Sequence, residues 1–570
     1  MKRARLWLKE HSWLLMALAI AAPFGLSILY AMPCKDDFLM AGRIWGTENM
    51  LADALKATNS FYMGWNGMWP YLFLEYILNP LMYAPAYSHL AGVELLLFFA
   101  AFIVTFYFYV KELLRFFFGI GDAKDRESGS NGGLRSAHLV YLLALFAFLN
   151  VDYYQQIFYW FVANVAYLFS VVFLMISQIF MMRYFGGDDG SGKRAFSGKR
   201  QIARAVGMTA FGFLACFCYQ LGVFQGIVYL MCLRKWKDSG NTEQVQGNLK
   251  NGKTALVQIV RRFIPLGIMI VGGLISLLAP GNFARYDTVE GHLGVLGLIG
   301  LTIGNTVSYL GNAVTSPVFW WMAVGCVYVG YRWGKSGEIY GDADKGDGTE
   351  VIEGHVDSAG ETEADSCVSW NEVSVYVLCM LASLFGIIFP LALGYPTGII
   401  LTRMLFMINF VIIAWAVIIF VSVGYVIKAH ASITDTAEKS AWTDKSIPGF
   451  RAAVLALLTI ATLVIFNLPT QATSINISLI GQPTSKYYQT LPWFYTATNL
   501  KTCATENKYY TDIFRNIYSS PDKDVIIKVP DTNTPSGVLV IPLNLIPGTG
   551  DELEKYTCTV LEKDSIKITN

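Results

Sequence analysis

Apolar runs long enough to cross a bilayer recur along almost the whole chain, and no single motif constrains the fold as strongly. About 20 apolar residues span the hydrocarbon core as a helix, and residues 13–32 form the first such run. Further apolar runs, some shorter, lie at 71–84, 89–118, 138–150, 158–182, 206–233, 263–278, 293–314, 317–333, 373–394, 399–428 and 452–468. Only 15% of the 570 residues are charged, against roughly 25% in soluble domains. The pattern predicts a polytopic α-helical membrane protein with about 11–13 transmembrane helices. The 206–233 run is long for one span and short for two. Its centre carries Gln220 and Gln225 between glycines, which suits a hairpin or re-entrant pair.

Loop charge sets the expected topology. Lys2, Arg3, Arg5 and Lys9 precede the first run like the basic region of a signal peptide, but no small-x-small cleavage site follows. The reading is an uncleaved first span with a cytoplasmic N-terminus. Segments 111–135, 183–204, 234–262 and 428–451 are basic and belong inside by the positive-inside rule. The acidic, Gly- and Ser-rich stretch 334–371 reads as a disordered cytoplasmic loop. Parity then makes one run within 293–333 re-entrant or interfacial.

The outer face is left with 33–70, 151–157, the surroundings of Gln220, 279–291, 394–402 and everything after 468. Within the first outer loop, Met40, Ile44, Leu51 and Leu55 follow helical spacing and suggest a surface-lying helix over 39–55. The expected domains are a membrane domain over 1–468 and an extracytoplasmic soluble domain, α/β or mainly β, over 469–570. Strands are expected at 524–529, 538–543 and 557–561. Cys503 and Cys558 would share an oxidising compartment and could pair. The nine Cys and six His show neither C-x-x-C nor H-x-x-x-H spacing, so zinc has no support. Nothing points to nucleic acid.

Four polar features gather on the outer side. The stretch P-C-K-D-D-F puts Asp36 and Asp37 just after the first span. Such carboxylates could take a proton from a sugar hydroxyl or hold a divalent cation beside a phosphate. They could equally cap the next helix. Trp160 and Asn164 stand at i, i+4 and could stack against and hydrogen-bond a sugar ring, or belong to an aromatic belt with one interhelical contact. A-P-G-N-F-A-R ends a run and presents Arg285, and Arg403 opens a later run. Outward arginines suit phosphate, though either could be a snorkelling residue.

With these residues the chain resembles the GT-C superfamily of integral-membrane glycosyltransferases, and more closely a bacterial branch of it. The resemblance is carried in order by D-D-F (36–38), W-N-G (65–67), Y-W-F-V-A-N-V-A-Y (159–167), A-P-G-N-F-A-R (279–285), Y-P-T-G-I-I-L-T-R (395–403) and D-V-I-I-K-V-P (524–530). Departures are Met68 where related chains often carry Arg, Gln220 where Glu is usual, and Ala163 in place of Gly. The resemblance implies a GT-C-like fold in the bacterial inner membrane and a polyprenyl-phosphate-linked sugar donor. It also implies Asp36 or Asp37 as base or substrate carboxylate, and substrate contacts from Trp65, Asn66, Trp160, Asn164, Gln220, Asn282, Arg285 and Arg403. The acceptor would be a cell-envelope glycan, teichoic acid or lipid. The competing readings are a lipid-linked-oligosaccharide flippase and an O-antigen-type polymerase. The first should show inverted repeats and mid-membrane charges, but no repeat is evident and the runs are nearly free of charge, Glu75 near the outer loop being the main exception. The second should show a long late outer loop, and here that loop is short.

Overall fold

The computed structural model describes residues 2–34, 36–120, 132–186, 199–238, 252–288, 293–333, 368–394, 402–437, 491–528, 539 and 552–569. Among them, seven helices are long and apolar enough to cross a membrane: His11–Ile28, Leu90–Phe118, Gly133–Val151, Phe161–Gly186, Arg262–Asp287, Trp370–Gly394 and Arg403–Ala429. Val295–Thr315 and Pro317–Trp333 qualify together but meet at 76°, as a broken span or re-entrant loop. The break has a local cause. Ser316 is extended before Pro317, as the proline ring requires of the residue preceding it.

Seven or eight crossings among the described residues compare with the 11–13 expected for the whole chain. The 71–84 run yields only the short helix Trp69–Ile77 and the turn Pro80–Met82. Asn79 Oδ1 accepts from the Leu81 amide at 3.1 Å to start that turn. The 206–233 run breaks at Phe217–Cys218 into Lys199–Cys216 and Tyr219–Asp238, whose basic ends and glutamines dilute the apolar stretch. The 452–468 run and almost all of 334–371 lie outside the described residues.

Arg403–Ala429 runs through the middle of the bundle, with Phe406, Met407, Phe410 and Val411 fully buried. Phe406 meets Phe148 and Phe102 at ring separations of 5.0 and 5.3 Å. Outer helices instead expose Leu15, Met16, Leu18, Ile270 and Val271, the surface lipid would cover. Inside, Gln225 donates to Ser177 Oγ at 2.8 Å and accepts from Gln178 at 3.0 Å, polar contacts that join apolar helices. Basic residues gather at one end. There Glu112 pairs with Arg115 and Arg183, and Lys235 donates to the Phe117 carbonyl.

The other end carries the first loop, which is two helices rather than one. Asp36–Arg43 and Met50–Gly64 are separated by a turn where Gly46 has φ +71°, a conformation glycine adopts without a Cβ penalty. The four apolar positions therefore do not share a face. Met40 and Ile44 are buried against Phe61, Leu72 and Tyr76, while Leu51 and Leu55 are exposed.

The described C-terminal residues pack onto this end. Trp493 Nε1 donates to the Ala19 carbonyl at 3.2 Å, and Asn507 Nδ2 to the Tyr30 carbonyl at 2.9 Å. Asp524–Lys528 and Ser565–Thr569 pair as parallel strands. The strand expected at 557–561 is instead the end of the helix Glu552–Val560, and 538–543 is outside the described residues except Leu539. Helical spacing puts Thr557 and Val560 on the buried side, so burial outweighs the β-propensity of these residues. Phe38, Ala41 and Leu81 share one apolar cluster with Phe514, Ile517, Val560 and Ile566. Cys503 and Cys558 are buried free thiols. They do not pair because Cys503 faces the main bundle core and Cys558 this smaller cluster.

Candidate functional site

The two aspartates following the first span have different surroundings. Asp37 is fully buried. Its Oδ2 accepts from the Cys34 amide at 2.8 Å, the carboxylate half of a capping box three residues apart. Its Oδ1 accepts from the Val162 amide at 3.1 Å, one of the otherwise unpaired donors at the start of Phe161–Gly186. Its carbonyl accepts from Asn79 Nδ2 at 2.8 Å. Asp37 therefore fastens the exit of the first span to a helix start and to the 79–82 turn. Burial pushes its carboxyl up to about 8, the two amides pull it down, and neighbouring Asp36 adds to the rise. Asp36 is only half-buried and is the better placed of the two to meet a ligand.

Glu75 lies one helix away, on Trp69–Ile77. It is 3% exposed, and among the described residues its Oε2 has no hydrogen-bond partner. Burial holds its carboxyl well above the usual range. Asp36 and Asp37 push the same way, and Arg403 opposes them. The stop at Asn79–Pro80 keeps Glu75 at this level of the bundle. In the sequence Glu75 reads as a charge in an apolar run and not as a site residue, and nothing there marks Asn79 or Tyr167 for the site. The available signal was a carboxylate inside an apolar stretch, which is costly unless used.

The Trp160–Asn164 pairing rests on a different geometry from the one expected. The chain is not one helix here. Trp160 is extended, at φ −122° and ψ 114°, between Gln155–Tyr159 and the helix starting at Phe161. Asn164–Leu168 is then a π-helical turn, a feature often found at functional sites. Asn164 sends Nδ2 to the Ile157 carbonyl at 2.8 Å. Its Oδ1 and the Trp160 indole N–H are buried without hydrogen-bond partners among the described residues. The Arg403 guanidinium lies 5.1 Å from the Trp160 ring centre and 6.0 Å from that of Tyr167. Asp36, Asp37, Trp160, Asn164 and Arg403 are thus brought together, with Glu75 added.

The remaining expected residues fall elsewhere. Trp65, Asn66, Asn282 and Arg285 form a second cluster at the same end. A-P-G-N is no loose turn; Pro280 opens the helix Pro280–Asp287. Asn282 Oδ1 accepts from the Gly67 amide at 3.3 Å, and its Nδ2 donates to the Ser276 carbonyl at 2.7 Å. Asn66 Oδ1 accepts from the Met68 amide at 2.7 Å. The backbones touch so closely that a Cβ on Gly67 would lie 1.9 Å from the Ser276 carbonyl oxygen, and one on Gly281 2.4 Å from the Trp65 nitrogen. Arg285 sits 5.2 Å over half-exposed Trp65. Gln220 is in neither cluster. It is buried at the Phe217–Cys218 break, where its Oε1 accepts from Cys218 Sγ at 3.1 Å.

Among the described residues, no three His, Cys, Asp or Glu side chains come together in a way that could hold a metal ion. Both Asp37 oxygens already face backbone amides, so Asp36 and Asp37 do not make an open two-carboxylate clasp. Compared with protein-family models, curated proteins and solved structures, the chain matches none.

Proposed function

We propose that this chain is a membrane glycosyltransferase. It would move a sugar from a polyprenyl-phosphate-linked donor to a hydroxyl of a cell-envelope glycan, teichoic acid or lipid. The observation supporting this reading is that half-buried Asp36 and the Arg403 guanidinium both act on buried Glu75, at the less basic end of an apolar helix bundle. Asp36 takes the proton of the acceptor hydroxyl as that oxygen bonds to the anomeric carbon. The bond from that carbon to the phosphate oxygen breaks, and the polyprenyl phosphate leaves with the electron pair beside Arg403. Asp37 is a positioning residue. The N-terminus would be cytoplasmic, with the site and the C-terminal residues on the outer face of a bacterial inner membrane.

The test is release of label from a panel of radiolabelled polyprenyl-phosphate sugars by the purified protein, with water as default acceptor. Turnover of at least one donor is expected, lost in Asp36→Asn at an unchanged melting midpoint. Failure with every donor, combined with movement of the lipid across proteoliposome membranes, would favour the flippase.

A further inference from the structure

Three buried polar atoms around Arg403 have no hydrogen-bond partner among the described residues: Glu75 Oε2, Trp160 Nε1 and Asn164 Oδ1. Buried polar groups in folded proteins are usually paired, and among the several unpaired ones in the described residues these three are set apart by lying on neighbouring elements beside one guanidinium. Their side chains belong to residues 3%, 6% and 1% exposed. They also share a neighbourhood. Arg403 interacts electrostatically with Glu75 and lies over the Trp160 ring, and the Trp160 carbonyl accepts from the Asn164 amide at 2.9 Å.

The chemistry of the three atoms narrows the ligand. The indole nitrogen only donates, the amide oxygen only accepts, and a carboxyl oxygen accepts or, when protonated, donates. A phosphate offers acceptors to the indole and to a protonated Glu75 but leaves the Asn164 oxygen unpaired. A metal cation would meet the indole N–H, and a polyprenyl tail satisfies none of the three. Hydroxyl groups both donate and accept, so adjacent hydroxyls on one ring answer the whole set.

We infer that Glu75, Trp160 and Asn164 form a subsite for neighbouring hydroxyls of the donor sugar, with Glu75 a positioning residue and Asp36 the base. This rests on the glycosyltransferase reading and deepens it. Arg403, set against the same tryptophan, is placed for the phosphate attached to that sugar. The π-helical turn and the extended Trp160 are what turn these polar atoms toward one neighbourhood, where a regular helix would have followed a single stripe. Burial and the nearby Asp36 and Asp37 favour the protonated form of Glu75, which suits a hydrogen-bonding group and not a base.

The test separates the sugar from its lipid phosphate. Retention of polyprenyl phosphate and of a panel of polyprenyl-phosphate hexoses and pentoses is measured on purified wild type, Glu75→Gln, Glu75→Leu, Asn164→Leu and Arg403→Ala. Wild type and Glu75→Gln are expected to prefer one sugar-bearing lipid over the bare phosphate. Glu75→Leu and Asn164→Leu lose about tenfold of that preference, the size of one buried hydrogen bond, and hold the bare phosphate unchanged. Arg403→Ala weakens both lipids. Should Glu75→Leu not fold, Glu75→Gln decides the question through turnover. A change confined to KM supports positioning, whereas a hundredfold loss of kcat at unchanged KM makes Glu75 the base and overturns the inference. Equal retention of sugar-bearing and bare lipid by wild type overturns the subsite and leaves the lipid-phosphate reading standing. Retention of neither overturns both.

Discussion

Asn282 and Asn164 stand at the same end of the bundle and use their amides in opposite ways. Asn282 commits both ends to backbone, with Oδ1 on the Gly67 amide and Nδ2 on the Ser276 and Leu277 carbonyls. Asn164 gives Nδ2 to one carbonyl and leaves Oδ1 unpaired among the described residues. The same contrast runs through their neighbours. Around Asn282, chain approaches chain so tightly that glycine is required at 67 and 281. Around Asn164, an indole N–H and a carboxyl oxygen are also unpaired, and a guanidinium lies over the ring. A cluster that satisfies itself holds a structure together. A cluster that leaves polar atoms unsatisfied bears a cost that a ligand can offset.

Variants can break or sharpen that contrast. The largest effect is expected from Asp36→Asn, which should lower donor turnover by about a hundred- to ten-thousandfold, the range for removing a general base. Its melting midpoint should be unchanged, since Asp36 is half-buried. Arg403→Ala should cost about ten- to a hundredfold in kcat/KM, the worth of a charge-assisted contact to phosphate, carried by a higher KM for the donor. In the other cluster the loss should be of stability. Gly67→Ala forces a Cβ into the Ser276 carbonyl and should destabilise by about 3 kcal/mol or more, seen as a lower midpoint in detergent. Asn282→Ala should cost about 1–2 kcal/mol of stability and leave turnover per folded molecule near the wild-type value.

A further effect concerns pH. The Asp37 carboxyl is raised from its ordinary 3.8 to about 8 in the fold. Protonation therefore favours the folded form. The contribution is complete below the ordinary carboxylate value and is lost as pH rises through about 8. The melting midpoint should fall between pH 6 and pH 9, and Asp37→Asn should flatten that slope. An equal slope in the variant would remove Asp37 as its source.

Much of this architecture was legible in the chain. Apolar runs locate the long helices, and the D-D-F stretch and Arg403 stand out as polar groups at the ends of such runs. Other features required tertiary knowledge. Helical spacing from Trp160 to Asn164 presumes an unbroken helix, and the break depends on Asp37, distant in sequence, accepting from the Val162 amide. Glu75 was visible as a charge, but its place beside Asp37 follows from the stop at Asn79, whose side chain also reaches the Asp37 carbonyl. Thr557 to Leu561 reads as a strand by propensity, and the cluster that buries Cys558 and Val560 makes it helical.

The most direct measurement is label release from a single turned-over polyprenyl-phosphate sugar by wild type, Asp36→Asn and Asn282→Ala, each scored per folded molecule. Loss in Asp36→Asn with near-wild-type turnover in Asn282→Ala is the expected result. Equal turnover by wild type and Asp36→Asn, or a loss confined to Asn282→Ala, would contradict the assignment of chemistry to the Asp36–Arg403 cluster.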